Sequence, residues 1–400
     1  MFHAWGISRA LSLTSWIHEG KQGFAGRRYA GFRPFQRSRM GDFRMRKFAE
    51  LSEGWRQDIL ALEVNIVRRI FCSVAFLFLV LLMAGISSCT LMPPPPTHKS
   101  TVWILDNADP DYATPPFEDT LTVIKSDGTP INTITGINID QTIGGNRRLA
   151  VSPDGTYALV SVIGPPSPKL VCFEPSGRER WRLEREVAAV DFLDPYNAYV
   201  LTTTGTIYGE AILRIDPWDG RVLGEADQGG FDLVVDREHG AIWIVGADIK
   251  KLNLAMEREF LLDPIGWSAV SVDFTSDGSV WVAERAHPDV PGSANRLLKI
   301  SLKGNVVQSV PLNFSPFCVR VDRTDNSLWV AGGGKIHKFR GDGTPLVSIA
   351  GPSFTLCIDQ VDGSVWAAGG TGQVVHYTST GGKLLTVTGF SGDQAWIDSH

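Results

Sequence analysis

After residue 100 the chain is written in short apolar runs broken by turn residues. The runs share a centre of one aliphatic residue, a tryptophan and a second aliphatic residue: Val102-Trp103-Ile104, Ile242-Trp243-Ile244, Val280-Trp281-Val282 and Leu328-Trp329-Val330. Val365-Trp366-Ala367 continues the series, and Ala198-Tyr199-Val200 and Tyr157-Ala158-Leu159 are weaker copies. One unit reads in full from Ala269 to Val310. Ala269 to Asp273 is a first strand, Asp277-Gly278 a tight turn, and Ser279 to Ala283 a second strand. Asn295 to Ser301 is a third strand, Lys303-Gly304-Asn305 a turn, and Val306 to Val310 a fourth. Strands this short between turn signals predict antiparallel all-β structure. Four strands to a unit make the blade of a β-propeller.

The centres at 103, 158, 199, 243, 281, 329 and 366 stand 55, 41, 44, 38, 48 and 37 residues apart. That is close to the period of about 40–45 residues expected of a propeller blade. The first strands end in a second repeated mark, Asp191, Asp236, Asp273, Asp322 and Asp359, with Ser152 in its place once. A carboxylate at a strand end accepts the N–H groups of the following turn, so this set is expected to be structural. The first unit begins directly at its tryptophan strand, whereas the chain ends on Gln394-Ala395-Trp396-Ile397-Asp398, which has the form of a first strand. The C-terminus is therefore expected to supply the missing strand and close the ring, which removes open sheet edges. The count is seven four-stranded blades, or six if one of the weaker units at 148–185 or 188–226 is not a full blade.

Residues 70–86 carry no charge and follow Arg68 and Arg69, a basic region and an apolar core in the form of a signal peptide. Ile86-Ser87-Ser88-Cys89 then resembles a bacterial lipobox, in which small side chains admit the peptidase and the thiol takes the lipid. The alternative is an uncleaved anchor, although the run is short for a span of about 20 residues. Either reading places residues 101–400 outside the cytoplasm. The boundaries are a basic extension at 1–66, which reads either as a cytoplasmic tail or as sequence upstream of a true start near Val64 or Val67; a signal at 67–88; and a lipidated Cys89 with a Pro-rich spacer at 89–100. Thr90 rather than Asp after Cys89 favours the outer membrane, facing periplasm or exterior.

Charge sharpens this division. Residues 1–89 hold 13 basic and 6 acidic residues, and the remainder 25 basic against 37 acidic, a net of −12. An acidic body repels phosphate, so nucleic acid is not an expected partner. Cys172, Cys318 and Cys357 fall on predicted strands and read as small buried hydrophobes. No phosphate-cradling loop, zinc spacing or nucleophile elbow is present, and no cofactor is expected.

Connections between second and third strands share one face of a propeller. Asp106–Thr120, Gly164–Pro168, Thr202–Tyr208 and Glu284–Asn295 are longer than a repeat needs, and such loops are where binding sites are added. Asp106, Asp109, Glu284 and Asp289 are hard oxygen ligands that would gather Ca²⁺. Glu284 and His287 have the types of an acid–base pair. The plain reading of all of them is solvated loop charge. His337 and His376 lie on third strands of successive blades, one residue out of register, and are expected to face opposite sides.

The units resemble NHL repeats and the related propeller of the virginiamycin B lyase-like family. The best match is Ala269-Val-Ser-Val-Asp…Asp277-Gly-Ser-Val-Trp-Val-Ala-Glu284…Asn295-Arg-Leu-Leu-Lys-Ile-Ser-Leu-Lys-Gly304. Pro175 to Trp181 looks more like a quinoprotein-type repeat. The resemblance, over residues 101–398, implies the architecture; such repeats serve enzymes and binding modules alike. In the lyases a histidine and a glutamate perform the elimination, but no motif carries that role onto this chain. The expected function is a monomeric, membrane-anchored binding module that holds a protein, peptide or glycan on the long-loop face. The alternative is a metal-dependent, lactonase-like hydrolase or a lyase with its site at the channel mouth. Lipidation is tested directly: a Cys89→Ser variant is expected to lose both acyl label and membrane attachment, and retention of either refutes the lipobox.

Overall fold

The computed structural model describes residues 101–107, 119–139, 147–162, 169–203, 210–262, 269–287, 293–390 and 394–399. The chain divides into two units, Met1–Met92 and Pro93–His400. The extension, the signal and Cys89 lie outside the described residues.

All described regular structure is β. Blade 1 contains β1 (Thr101–Asn107), β2 (Asp119–Lys125) and β3 (Pro130–Ile137). Blade 2 is β4 (Leu149–Val151), β5 (Ala158–Val162), β6 (Lys169–Phe173) and β7 (Glu179–Leu183). Blade 3 is β8 (Glu186–Asp194), β9 (Asn197–Thr203), β10 (Ala211–Ile215) and β11 (Val222–Ala226). Blade 4 is β12 (Asp232–Asp236), β13 (Ala241–Val245), β14 (Ile249–Asn253) and β15 (Arg258–Leu262). Blade 5 is β16 (Ala269–Phe274), β17 (Val280–Glu284), β18 (Arg296–Ile300) and β19 (Val306–Pro311). Blade 6 is β20 (Pro316–Asp322), β21 (Ser327–Gly332), β22 (Lys335–Phe339) and β23 (Pro345–Ala350). Blade 7 is β24 (Thr355–Ile358), β25 (Val365–Ala368), β26 (Gln373–Tyr377) and β27 (Lys383–Thr388).

The last strand, β28 (Gln394–Ser399), pairs antiparallel with β1 and completes blade 1, with Trp103 opposite Asp398 and Leu105 opposite Trp396. The inner strands then touch in an unbroken circle: β28, β4, β8, β12, β16, β20, β24 and back to β28. The protein is a seven-bladed propeller closed by its C-terminal strand, and both weaker units are full blades.

Register aligns one residue of every strand into a row across each blade. In blade 5 the row is Asp273, Trp281, Lys299 and Gln308; in blade 6 it is Arg320, Trp329, Lys338 and Val347. In blade 2 it is Ala150, Leu159, Cys172 and Trp181. The centre of the second unit is thus Leu159, one residue beyond Ala158. Here the large aromatic has moved from the second strand to the fourth.

The core is seven cores, one in each seam between neighbouring blades. Each row residue of a second strand lies in the seam towards the next blade, as Trp281 does among Val319, Val321 and Leu328 of blade 6. Burying such a ring removes roughly 150–250 Å² from water, on the order of 4–6 kcal/mol gross at about 25 cal/mol per Å². The indole N–H of Trp103, Trp243, Trp281 and Trp329 finds no acceptor among the described residues. Leaving it unpaired costs about 1–3 kcal/mol, less than the ring contributes.

The outer hairpins lock the seams a second time. Six of the seven third-to-fourth-strand turns place a glycine in the left-handed region: Gly128, Gly177, Gly220, Gly304, Gly343 and Gly381. Each packs on the outer strand of the preceding blade. A Cβ on Gly220 would stand 2.6 Å from the Trp181 ring, and one on Gly304 2.3 Å from Phe260. The seventh turn reverses the roles. Met256 takes φ 64° in blade 4, and its side chain fills the space over Gly224 of blade 3, where a Cβ would meet the methionine methyl at 2.9 Å.

This separates two costs of adding a methyl. Gly136 has φ 74° with nothing within 4 Å, whereas Gly220 has φ 76° against Trp181. Gly136→Ala is expected to cost about 1–2 kcal/mol from backbone alone, and Gly220→Ala a further ~1–3 kcal/mol from overpacking. Equal losses in chemical denaturation would refute the packing role.

Candidate functional site

The inner strands carry a band of charge around the axis. Arg147, just before β4, donates from Nη2 to the Val272 carbonyl at 3.0 Å and lies 3.5 Å from carboxylate oxygens of both Asp232 and Asp273. Burial would lower its pKa, but Asp191, Asp232 and Asp273 outweigh burial and raise it, so Arg147 stays charged. Arg320 donates to Ser271 Oγ at 3.2 Å and the Val319 carbonyl at 2.8 Å. Cys357 donates its thiol to Asp398 at 3.3 Å. Burial holds the Asp232 and Asp398 carboxyls above their usual range.

These carboxylates already have work. Asp398 accepts the Val151 amide of blade 2 at 2.8 Å, Asp191 the Val235 amide of blade 4 at 2.9 Å, and Asp273 the Val321 amide of blade 6 at 2.9 Å. Asp232 accepts the Val272 amide of blade 5 at 3.2 Å. Each stitches one inner strand to the next. The repeated aspartates are therefore two sets. Asp236, Asp322 and Asp359 cap their turns as expected, accepting amides of His239, Thr324 and Val361. Asp191 and Asp273 clasp the adjacent blade instead. Both sets are structural.

The expected loop-face residues do not form one group among the described residues. Asp106 is the penultimate residue of β1 in blade 1 and Glu284 the last residue of β17 in blade 5, each three residues after its tryptophan, with blades 6 and 7 between them on the shorter way round. The buried Glu284 carboxylate is held by the Arg296 guanidinium. Burial raises its pKa, opposed by Arg296. His287 is exposed, and its backbone is tied to Ser293. Asp109 and Asp289 lie outside the described residues. No group of three or more His, Cys, Asp or Glu among the described residues stands ready to hold a metal. Cys172, Cys318 and Cys357 are buried free thiols.

The loop face does carry a cleft. It opens between blades 3 and 4, has a volume of about 390 Å³, and is floored by Gly229 and Gly230. Glu210, Asp227 and Asp248 supply carboxylates; Lys250 and Arg258 supply cations. Lys250 is fixed by the Gly229 carbonyl at 2.7 Å and by Asp248 at 2.8 Å. Charges of both signs on a glycine floor suit a polar, extended ligand that presents both donors and acceptors. Strand periodicity does not show this site, because its lining combines connections with the strand residues Lys250 and Arg258 and is drawn from two blades.

A row of lysine and histidine side chains beside the tryptophans also escapes a reading by period. Lys299 lies over Trp281 at 5.9 Å, Lys338 over Trp329 at 5.2 Å, and His376 stacks on Trp366 at 4.1 Å. Their neighbour by register is the only signal, and each lysine contact is worth about 0.5–1 kcal/mol. His337 is out of this row and stacks on Phe314 at 3.8 Å, so the two histidines do face different seams.

No protein-family model and no curated protein matches the chain. Among solved structures, a functionally unknown protein from Desulfotomaculum acetoxidans DSM 771 is similar with TM-score 0.54 and 14% identity, over 74% of this chain and 98% of that one. BamB from Moraxella catarrhalis has TM-score 0.45 and 12% identity, over 70% of this chain and 85% of that one. At 14% identity the likeness to the Desulfotomaculum protein is one of fold.

Two outcomes follow from the charged groups. Arg147→Met leaves buried Asp232 with only the weaker field of Arg320, and is expected to cost about 3–5 kcal/mol; Asp232→Asn in the same chain is expected to recover part of it. A loss under about 1 kcal/mol in urea denaturation would refute the clasp. Burial lowers the pKa of His337 and His376 from 6.5. The unfolded chain therefore takes these protons first, so stability is full above that value and falls as pH drops below it. The melting temperature is expected to fall as pH drops through about 6.5, and His337→Gln/His376→Gln to flatten the slope; an unchanged slope refutes the assignment.

Proposed function

We propose that this chain is a lipid-anchored propeller of the bacterial cell envelope that binds an extended peptide segment of a protein partner, or a glycan, on its long-loop face. The observation that carries this reading is the polar cleft between blades 3 and 4. Lys250 is held in place there, and Asp227 and Arg258 are exposed. A peptide backbone offers donors and acceptors in alternation, which fixed groups of both signs satisfy. The rigid ring holds the cleft preformed, which reduces the ordering cost of binding. Arg68, Arg69, the apolar run and Cys89 support attachment through an N-terminal lipid. The repeat pattern, best in blade 5, supports an NHL-type propeller.

A photo-crosslinker at position 227 in the full chain, in intact envelopes, is expected to give a discrete adduct that Arg258→Glu suppresses. A crosslinker at the exposed Val361, on the opposite face, is expected to give none of that adduct. Equal adducts from both positions, or none from 227, would refute the cleft as the contact.

A further inference from the structure

The face opposite the long loops carries a second feature, confined to blade 3. Its two hairpin turns repeat one motif, Asp194-Pro195-Tyr196-Asn197 and Asp216-Pro217-Trp218-Asp219. In each the aspartate accepts the amide of the aromatic residue, at 2.7 Å for Tyr196 and 2.9 Å for Trp218. This is an Asx turn with proline presetting the backbone. Both turns are also pinned from blade 2. Tyr157 donates its hydroxyl to the Pro195 carbonyl at 2.6 Å, and Trp181 its indole N–H to the Pro217 carbonyl at 2.9 Å. Asn197 is gripped by Asp194 at 3.0 Å and by the Arg214 guanidinium at 2.7 Å.

The result is two turns with pinned backbones, each carrying an aromatic ring in solvent, Tyr196 at 70% and Trp218 at 65% exposure. Arg180 lies 4.0 Å over one face of Trp218. That contact leaves the other face of the ring open. A ring that served the fold would be buried, as the six aromatic seam residues are. Here the turns are pinned from blade 2 while their rings stay outside.

We propose that the twin turns are a binding platform for an extended β-linked glycan, with a pyranose ring stacked on each aromatic. A pyranose has an apolar C–H face and a rim of hydroxyls, so it needs an aromatic plane edged by carboxylates and guanidinium groups. Asp219 and Arg221 stand exposed on the same turn as Trp218, with Arg221 3.6 Å from Asp216. The two turns join β8 to β9 and β10 to β11, two strand spacings apart, or about 10 Å. That matches the disaccharide repeat of an extended β-1,4-linked chain. A protein partner needs about 800 Å² per side with a contiguous apolar centre. Here aspartates and Asn197 interrupt the aromatics, which suits a hydroxylated ligand better. The platform is independent of the loop-face cleft.

The test is saturation-transfer NMR and calorimetric titration of the full chain with cellohexaose, chitohexaose and the α-linked maltohexaose. A β-linked oligosaccharide is expected to bind, with saturation on its ring C–H protons. Trp218→Ala and Tyr196→Ala are each expected to weaken it roughly tenfold or more, as loss of an aromatic anchor does. Both residues are exposed, so the fold is retained, and Val361→Ala on blade 7 serves as the unaffected control. No binding, preference for maltohexaose, or affinity unchanged by Trp218→Ala would each overturn the platform. So would capture of a peptide through the same two rings in place of a glycan. The cleft variant Arg258→Glu is expected to leave oligosaccharide binding intact, which separates failure here from failure of the loop-face reading.

Discussion

Every apolar cluster among the described residues lies between two sheets, so no blade has a core until its neighbours are in place. Closure is the constraint on which the rest depends. Pairing of β28 with β1 completes blade 1 and also supplies Ala395 and Ile397 to the seam with blade 7 and Trp396 to the seam with blade 2. Asp398, on the same strand, accepts an amide from blade 2 and a thiol proton from blade 7. A single six-residue strand thus serves three sheets. At the three seams from blade 3 to blade 6, Asp191, Asp232 and Asp273 repeat the stitch, and Arg147 offsets their mutual repulsion.

Much of this was legible in the residues. The tryptophan strands show because a seam-filling position recurs at blade spacing, and the closing strand shows because Gln394 to Asp398 has the form of a first strand with no unit of its own. Turn glycines show for the same reason. What stayed hidden lies off the repeat. Arg147 sits in a connection, outside any strand pattern, and Asp232 occupies a register position held by Ser271 in blade 5. The division of the aspartates into turn caps and blade clasps depends on a shift of two residues along the strand, which sets whether the carboxylate meets its own turn or the next sheet.

The candidate chemistry was less legible than the fold. Glu284 has the type of a catalytic acid, but register places Arg296 directly across from it, and an ion pair results. Type and loop length alone carried no information about that partner. The cleft between blades 3 and 4 draws its lining from segments of different blades, so no local spacing reveals it. The two Asp-Pro-aromatic turns are visible as a repeated string, yet only the donors from Tyr157 and Trp181 mark them as held rather than loose.

The exchange between Met256 and Gly224 makes the blades non-interchangeable. Elsewhere a bare turn meets a filled strand; at this one seam a filled turn meets a bare strand. Blade 3 and blade 4 are therefore a matched pair: a blade with a filled outer strand in place of blade 3 clashes with Met256, and a blade with a glycine turn in place of blade 4 leaves Gly224 uncovered.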